Sequence, residues 1–292
     1  MNNFVQNYEI ILENIQKFEI SFDIIQVRTP KLSNIELIAM NLAAEYMGIN
    51  SECQLFRDIE STYLFAKIER SVYNRRKRAL FPYVEKLRQR LAQEFNTNES
   101  IFIIDSMPLE VCKNARANRS KICKETSYAQ PNKGFCASQQ MYYYGYKLHG
   151  ICSLDGVFQS IDITPASVHD IQLLKDLKWH YSGCTILGDM GYLSVDYQLN
   201  LFESAQIKLE TPMRKNQLNF KEQPYMLKKS RKRIETLFSQ LCDQFRIRQN
   251  FAKSFNGFKT RILSKITTLT LIQYLNKFLF NRPINNLKVN LS

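Results

Sequence analysis

Three carboxylates stand in settings that suit metal-assisted cleavage of a phosphodiester. Ile-Phe-Ile-Ile-Asp (101–105) reads as a buried strand ending in an acid, and Thr-Ile-Leu-Gly-Asp (185–189) repeats the pattern with Met-Gly-Tyr behind it. The third acid, Glu235, lies in Arg-Lys-Arg-Ile-Glu-Thr-Leu-Phe (231–238), whose apolar spacing is helical. An acid at the end of an apolar strand is costly to desolvate unless a positive group meets it, and a hard divalent cation is the partner that oxygen donors select. Two Mg²⁺ ions about 3.5–4 Å apart can activate an attacking oxygen and stabilise a leaving 3′-oxygen, so the protein need only fix the ions. Asp105 would bridge both, Asp189 and Glu235 would each complete one shell, and Mn²⁺ would substitute. Each acid also has a plain structural reading, as a strand-end cap, an Asx turn before Gly191 or half of an i,i+4 pair, but the three together favour the site. His149 and His169 are second-tier candidates for approaching the scissile phosphate, against the commoner role of a hydrogen-bonded structural histidine.

Charge points to a polyanionic partner. The 292-residue chain carries a formal +13, and eleven cations against three acids fall between Lys221 and Arg261. Lys228, Lys229, Arg231, Lys232 and Arg233 run directly into Glu235, where they could hold DNA against the metals. A second run, Arg75, Arg76, Lys77 and Arg78, follows a possible Ser71 cap in a segment that suits a recognition-type helix; solvated helix faces are the bland alternative to both. Basicity alone does not distinguish DNA from RNA or an anionic membrane. The sequence has no apolar run of membrane-spanning length, and its N-terminus lacks a basic-then-apolar leader, which predicts a cytoplasmic protein with no membrane partner. The seven cysteines form no C-x-x-C pair and the three histidines lack zinc-finger spacing, so zinc is not expected.

Positioning the acids is the work of the elements around them. Residues 1–97 read as helical throughout, with periodic segments over 8–25, 34–47 and 53–59 and a long helix over 71–95, and form a helix-turn-helix-like all-α DNA-binding domain. From Ser100 strands alternate with helices: a first strand, a polar surface loop over 113–140, then two strands at 142–154 and 157–164 joined by Asp155-Gly156, a hairpin dipeptide. A short helix, a fourth strand at 185–187, a helix over 194–204, a fifth strand at 207–211 and the Glu235 helix follow. That order is the α/β ribonuclease H-like one, a mixed sheet flanked by helices in which the first and fourth strands are neighbours. The catalytic domain is assigned to 98–255, and an apolar helix over 258–280, within a segment 256–292, is expected to pack on it.

Five segments, Ile-Ile-Asp-Ser-Met-Pro-Leu (103–109), Tyr-Gly-Tyr-Lys-Leu-His (144–149), Thr-Pro-Ala-Ser-Val-His-Asp (164–170), Leu-Gly-Asp-Met-Gly-Tyr (187–192) and Arg-Lys-Arg-Ile-Glu-Thr-Leu-Phe-Ser-Gln-Leu (231–241), resemble the DDE transposases of bacterial insertion sequences, nearest the insertion sequence 982 type. The resemblance covers nearly the whole chain. It implies that Asp105, Asp189 and Glu235 are the catalytic triad of an enzyme that binds terminal inverted repeats, cleaves at the element ends and transfers the freed 3′-OH to target DNA. It also implies double-stranded DNA as the partner, a homodimer in the DNA complex and a nucleoid-associated place in a bacterial cytoplasm. Alternatives from the same reading are a ribonuclease H-like nuclease without strand transfer and an inactive DNA-binding derivative. One related group carries a tyrosine, an arginine and a lysine around the glutamate; Arg231 fits the arginine, whereas Lys228 and Cys242 depart from the other two.

Overall fold

The computed structural model describes residues 3–24, 28–95, 100–213, 216, 220–288 and 291. The chain divides into two compact units, one of Met1–Phe95 with Gln240–Ser292 and one of Asn96–Ser239. The expected boundary at 97/98 lies outside the described residues. No helix among those described is long and apolar enough to cross a membrane.

Among the described residues the regular elements of the first unit are helices. It contains α1 (Asn3–Gln16), α2 (Asn34–Tyr46), α3 (Glu52–Asp58), α4 (Arg70–Ala79), α5 (Phe81–Gln93) and α9 (Phe255–Tyr274). The helix α2 starts at a capping box in which the Ser33 side chain accepts from Glu36 N–H and the Glu36 carboxylate accepts from Ser33 N–H at 2.7 Å. The long helix expected over 71–95 is two helices. Pro82 has no N–H to donate and its ring would meet the carbonyl four residues back, so α4 ends at Leu80 and α5 starts with the proline in its first turn. The cap position of α4 is Glu69, and Ser71 Oγ donates to its carboxylate at 2.7 Å.

The apolar C-terminal helix groups with the helical unit. Helix α9 lies against α5, α2 and α4. Nearly every residue from Phe258 to Gln273 is buried, because a helix with apolar residues all round needs cover on every side. Its burial includes Lys265, fully enclosed, whose Nζ meets Glu45 of α2 at 2.5 Å. Beside that pair Asn41 Nδ2 donates to Ser264 Oγ at 2.7 Å.

The second unit is built on six strands: β1 (Ile101–Cys112), β2 (Asn132–Cys136), β3 (Met141–Ser153), β4 (Phe158–Pro165), β5 (Thr185–Leu187) and β6 (Lys208–Glu210). The sheet is mixed. Strand β3 lies between β1 on one edge and β2 with β4 on the other, all antiparallel, while β1, β5 and β6 run parallel to one another. The strand β2 falls inside the stretch expected to be a polar loop. Its five residues alternate too little to announce a strand, and β3 supplies the pairing that makes them one. Ile104 and Ile151 pack on one face with Leu174 and Leu177 of α6 (Leu174–Leu177) and Leu201 of α7 (Val195–Ala205). The helix α8 (Tyr225–Asp243) presents Ile234, Leu237, Phe238 and Leu241 as its buried stripe, and Phe238 stacks near Phe158 with ring centroids 6.1 Å apart.

Candidate active site

Parallel register brings the first two acids together. Phe102 pairs with Ile186 and Ile103 with Leu187, so two residues on, Asp105 within β1 and Asp189 just past the end of β5 stand at the same level, although 84 positions separate them in sequence; β1 continues to Cys112, so Asp105 is in mid-strand and not at the strand end its sequence led us to expect. Asp189 caps a 3-10 turn, Met190–Tyr192, and its Oδ1 accepts from Gly191 N–H at 2.7 Å. A β-carbon on Gly191 would come within 2.9 Å of that oxygen, so the turn has no room for a larger residue without movement.

The helix α8 brings the third acid. Asp105 faces Gly150 across the β1–β3 ladder, and a β-carbon at Gly150 would lie 2.7 Å from the Phe158 ring and 3.5 Å from that of Phe238. The bare backbone at Gly150 therefore admits Phe238, and Glu235, one turn earlier on the same helix, stays exposed while Ile234 and Leu237 beside it are buried.

The electrostatic surroundings of Asp105 include Asp189, Arg231 and Glu235. Burial pushes the Asp105 carboxyl up from 3.8 to about 7; the Ser106 N–H, at 2.8 Å, opposes the shift, Asp189 adds to it, Arg231 opposes it and Glu235 adds again. Tyr192 is also enclosed, with its hydroxyl unpartnered, and burial first and then Asp170, Asp105 and Asp189 hold that hydroxyl well above the usual tyrosine range. Among the described residues no three His, Cys, Asp or Glu side chains are drawn into a metal-holding cluster. The donor chemistry nevertheless fits a hard divalent cation. The set is all oxygen, it carries three formal negative charges, and its most enclosed member is driven toward protonation when no cation offsets its neighbours.

A fourth acid supports this region from the other face of β1. Asp170 accepts from Ser106 Oγ at 3.1 Å and from Lys147 Nζ at 2.9 Å, and Lys147 also donates to the Val168 carbonyl at 2.8 Å. Asp170 thereby ties the residue after Asp105 to β3. Nothing in the His-Asp dipeptide at 169–170 announces a partner 64 residues earlier.

The candidate histidines have local partners. His149 pairs with Ser106 in the β1–β3 ladder, so its ring is on the face opposite Asp105; it is buried, its Nε2 lies 2.8 Å from Thr164 Oγ1 and its Nδ1 3.9 Å from Asp170. Burial lowers its pKa, against the raising effect of Asp170 and Asp162. His169 caps the turn that follows it, its Nδ1 accepting from Ile171 N–H at 3.3 Å.

The cation runs divide in the same way. In α4, Arg75 and Arg78 are exposed, but Arg76 donates to the Leu32 carbonyl and to Asn34 Oδ1, each at 2.8 Å. Lys77 is buried against Glu52 at 2.9 Å. Two of the four candidate DNA contacts therefore hold their own helix in place. In α8, Lys229 and Lys232 are exposed, Arg231 and Arg233 are half-buried, and Lys228 pairs with Glu222 at 2.6 Å.

A family model described as "Transposase DDE domain" matches residues 96–271, more than half of the chain. No curated protein matches the sequence. Among solved structures the chain is similar to a piggyBac transposase in a cryo-EM synaptic complex with hairpin DNA, at 12% identity and a TM-score of 0.49, covering 99% of this chain and 78% of that one.

Proposed function

This chain belongs to the transposase DDE-domain family, and from that premise we propose that it binds the terminal inverted repeats of an insertion sequence, cleaves at the element ends and joins the freed 3′-OH to target DNA. Asp105, Asp189 and Glu235 are the proposed catalytic and metal-holding residues. When bound there, two Mg²⁺ ions, or Mn²⁺ in their place, would supply Lewis-acid activation of the attacking oxygen and stabilise the leaving one. Asp105 and Asp189 are both half-buried, Asp189 is held by its own turn, and Glu235, exposed on α8, would complete the set from the solvent side. Arg231, one turn before Glu235, offsets part of the carboxylate charge and lies where a DNA phosphate would approach. Lys229, Lys232 and Arg233 extend that cationic face, with Lys228 joining when DNA displaces Glu222.

The order β4-β3-β1-β5-β6, antiparallel on one side of β1 and parallel on the other, supports a ribonuclease H-like catalytic unit. The helices α3 and α4 would act as a helix-turn-helix, with Arg75 and Arg78 reaching the DNA. An origin in a bacterial element of the insertion sequence 982 type, action in the cytoplasm at the nucleoid and a homodimer that handles two ends at once complete the proposal. The observation that carries it is the parallel β1–β5 register, which sets Asp105 and Asp189 at one level on adjacent strands.

The test is cleavage and strand transfer on labelled DNA bearing the sequences that flank the gene, with Mg²⁺, Mn²⁺ or EDTA. Asp105→Asn and Glu235→Gln should each lower the rate by about a thousandfold or more, the scale of losing several kcal/mol of transition-state stabilisation. Activity that survives both substitutions would overturn the triad, and cleavage without joining would reduce the function to a nuclease.

A further inference from the structure

The hairpin β2–β3 and the segment before it form a surface that the catalytic site does not use. Between Lys113 and Tyr142 the chain has six cations and one acid, Glu125. All six cations, Lys113, Arg116, Arg119, Lys121, Lys124 and Lys133, are exposed, and none joins a salt bridge among the described residues. Phe135 and Tyr142 face each other across the hairpin with ring centroids 5.0 Å apart, and they are 51% and 65% exposed. Such a pair in water forfeits the burial that aromatic rings normally gain. The hairpin beneath it is firmly seated. Cys136 and Tyr143 pack on Ala166, Asn132 and Ser167 exchange two hydrogen bonds of 2.7 Å, and Tyr146 Oη donates to the Ala129 carbonyl at 2.7 Å.

Strand alternation relates this patch to the active site. Tyr142 and Gly150 are eight residues apart on β3, so their side-chain directions fall on the same face, and Gly150 is the ladder partner of Asp105. At about 3.3 Å per residue the aromatic pair lies ~27 Å along the strand from the level of Asp105, or roughly eight base-pair steps of a duplex at ~3.4 Å each.

We infer that this hairpin is a second DNA-contact surface of the catalytic unit, engaging the duplex about eight base pairs from the scissile phosphate. The cations take phosphates, and the Phe135–Tyr142 pair takes apolar sugar and base surface in a groove. Six cations against one acid favour a polyanion over an apolar protein partner, and paired exposed aromatics among cations match the way proteins meet nucleic-acid bases. The inference rests on the transposase reading above and adds a place on the molecule that the reading does not supply.

The test uses the full-length chain and a labelled mixed-sequence duplex long enough to span both surfaces, with affinity followed across a salt series. Replacing Arg116, Arg119 and Lys133 by alanine should lower the slope of log affinity against log salt by about 2 to 3, since each lost phosphate contact retains one counterion. Phe135→Ser with Tyr142→Ser should weaken binding about tenfold at every salt concentration and leave the slope unchanged. All five side chains are exposed, and thermal melting of the variants confirms that the fold is retained. Unchanged affinity and slope in both variants, alongside a loss in Arg231→Ala/Lys232→Ala, overturn the hairpin surface and leave the proposed function standing. A native chain that fails to bind the duplex at any salt concentration overturns both.

Discussion

Charge is buried in both units, but in opposite ways. In the helical unit, Lys265 is fully enclosed and meets Glu45, itself 3% exposed, at 2.5 Å, so the two desolvation costs offset each other through a direct bond. In the sheet-bearing unit, Asp105 is half-buried with two further acids nearby, and among the described residues Arg231 and one backbone N–H oppose them. A charge answered inside the chain serves packing and register. A cluster of like charges left partly unanswered is a site poised for a cation from outside.

Breaking the compensated pair should have the larger effect. Glu45→Ala strands Lys265 in an apolar interior and is expected to cost about 3–5 kcal/mol, whereas Glu45→Met with Lys265→Met should come close to neutral. Urea unfolding of the three proteins measures both. If Glu45→Ala costs no more than a surface substitution, the pair is not what holds α2 and α9 in register.

The uncompensated site makes the opposite prediction as pH changes. Because the Asp105 pKa rises from 3.8 to about 7 on folding, the folded chain keeps a proton that the unfolded chain has released. The stability this contributes is complete below about pH 4 and is lost as pH rises through about 7, an amount of up to about 4 kcal/mol. In EDTA, therefore, Asp105→Asn should be more stable than the native chain at pH 8 and lose that advantage toward pH 4. Melting temperatures of the two proteins across that range, with and without Mg²⁺, decide it: Mg²⁺ should stabilise the native chain at pH 8 and the variant much less. A native chain whose stability does not fall relative to the variant over that window would remove the charge conflict from the account.

The smallest effects separate two adjacent arginines. Arg76→Ala, which deletes hydrogen bonds to Leu32 and Asn34, should cost about 1–2 kcal/mol of stability. Arg75→Ala, on the exposed face, should leave stability within about 0.5 kcal/mol and weaken duplex binding a few-fold at low salt. Thermal melts and binding isotherms of the pair tell the two roles apart. Equal behaviour would mean that the inward and outward faces of α4 are not functionally distinct.

Much of the site was legible because its signals are local. Asp105 and Asp189 each follow an apolar run, and Glu235 follows a helical apolar pattern, so strand and helix could be read from a few neighbours each, although β1 runs on past Asp105 to Cys112. The break at Pro82 was equally local and is overridden in a reading that follows only apolar periodicity. Asp170 was not legible in its role, since its partners Ser106 and Lys147 come from two other strands. Strand β2 was hidden because its five residues become a strand only by pairing with β3. Cation runs misled in part, because charge type says nothing of direction: Arg76 and Lys77 look like Arg75 and Arg78 until the fold turns them inward.

By itself the sequence determined most element types, the acids that follow apolar runs or ride a helix and the basic character of the chain, because these follow from composition and short-range periodicity. Only the tertiary structure decided that α9 packs with the helical unit, that Asp105 and Asp189 share a level through the β1–β5 register and that Asp170 ties β1 to β3. Those outcomes depend on which buried surfaces find each other across dozens to hundreds of residues, and residue order along a chain does not encode such encounters one position at a time.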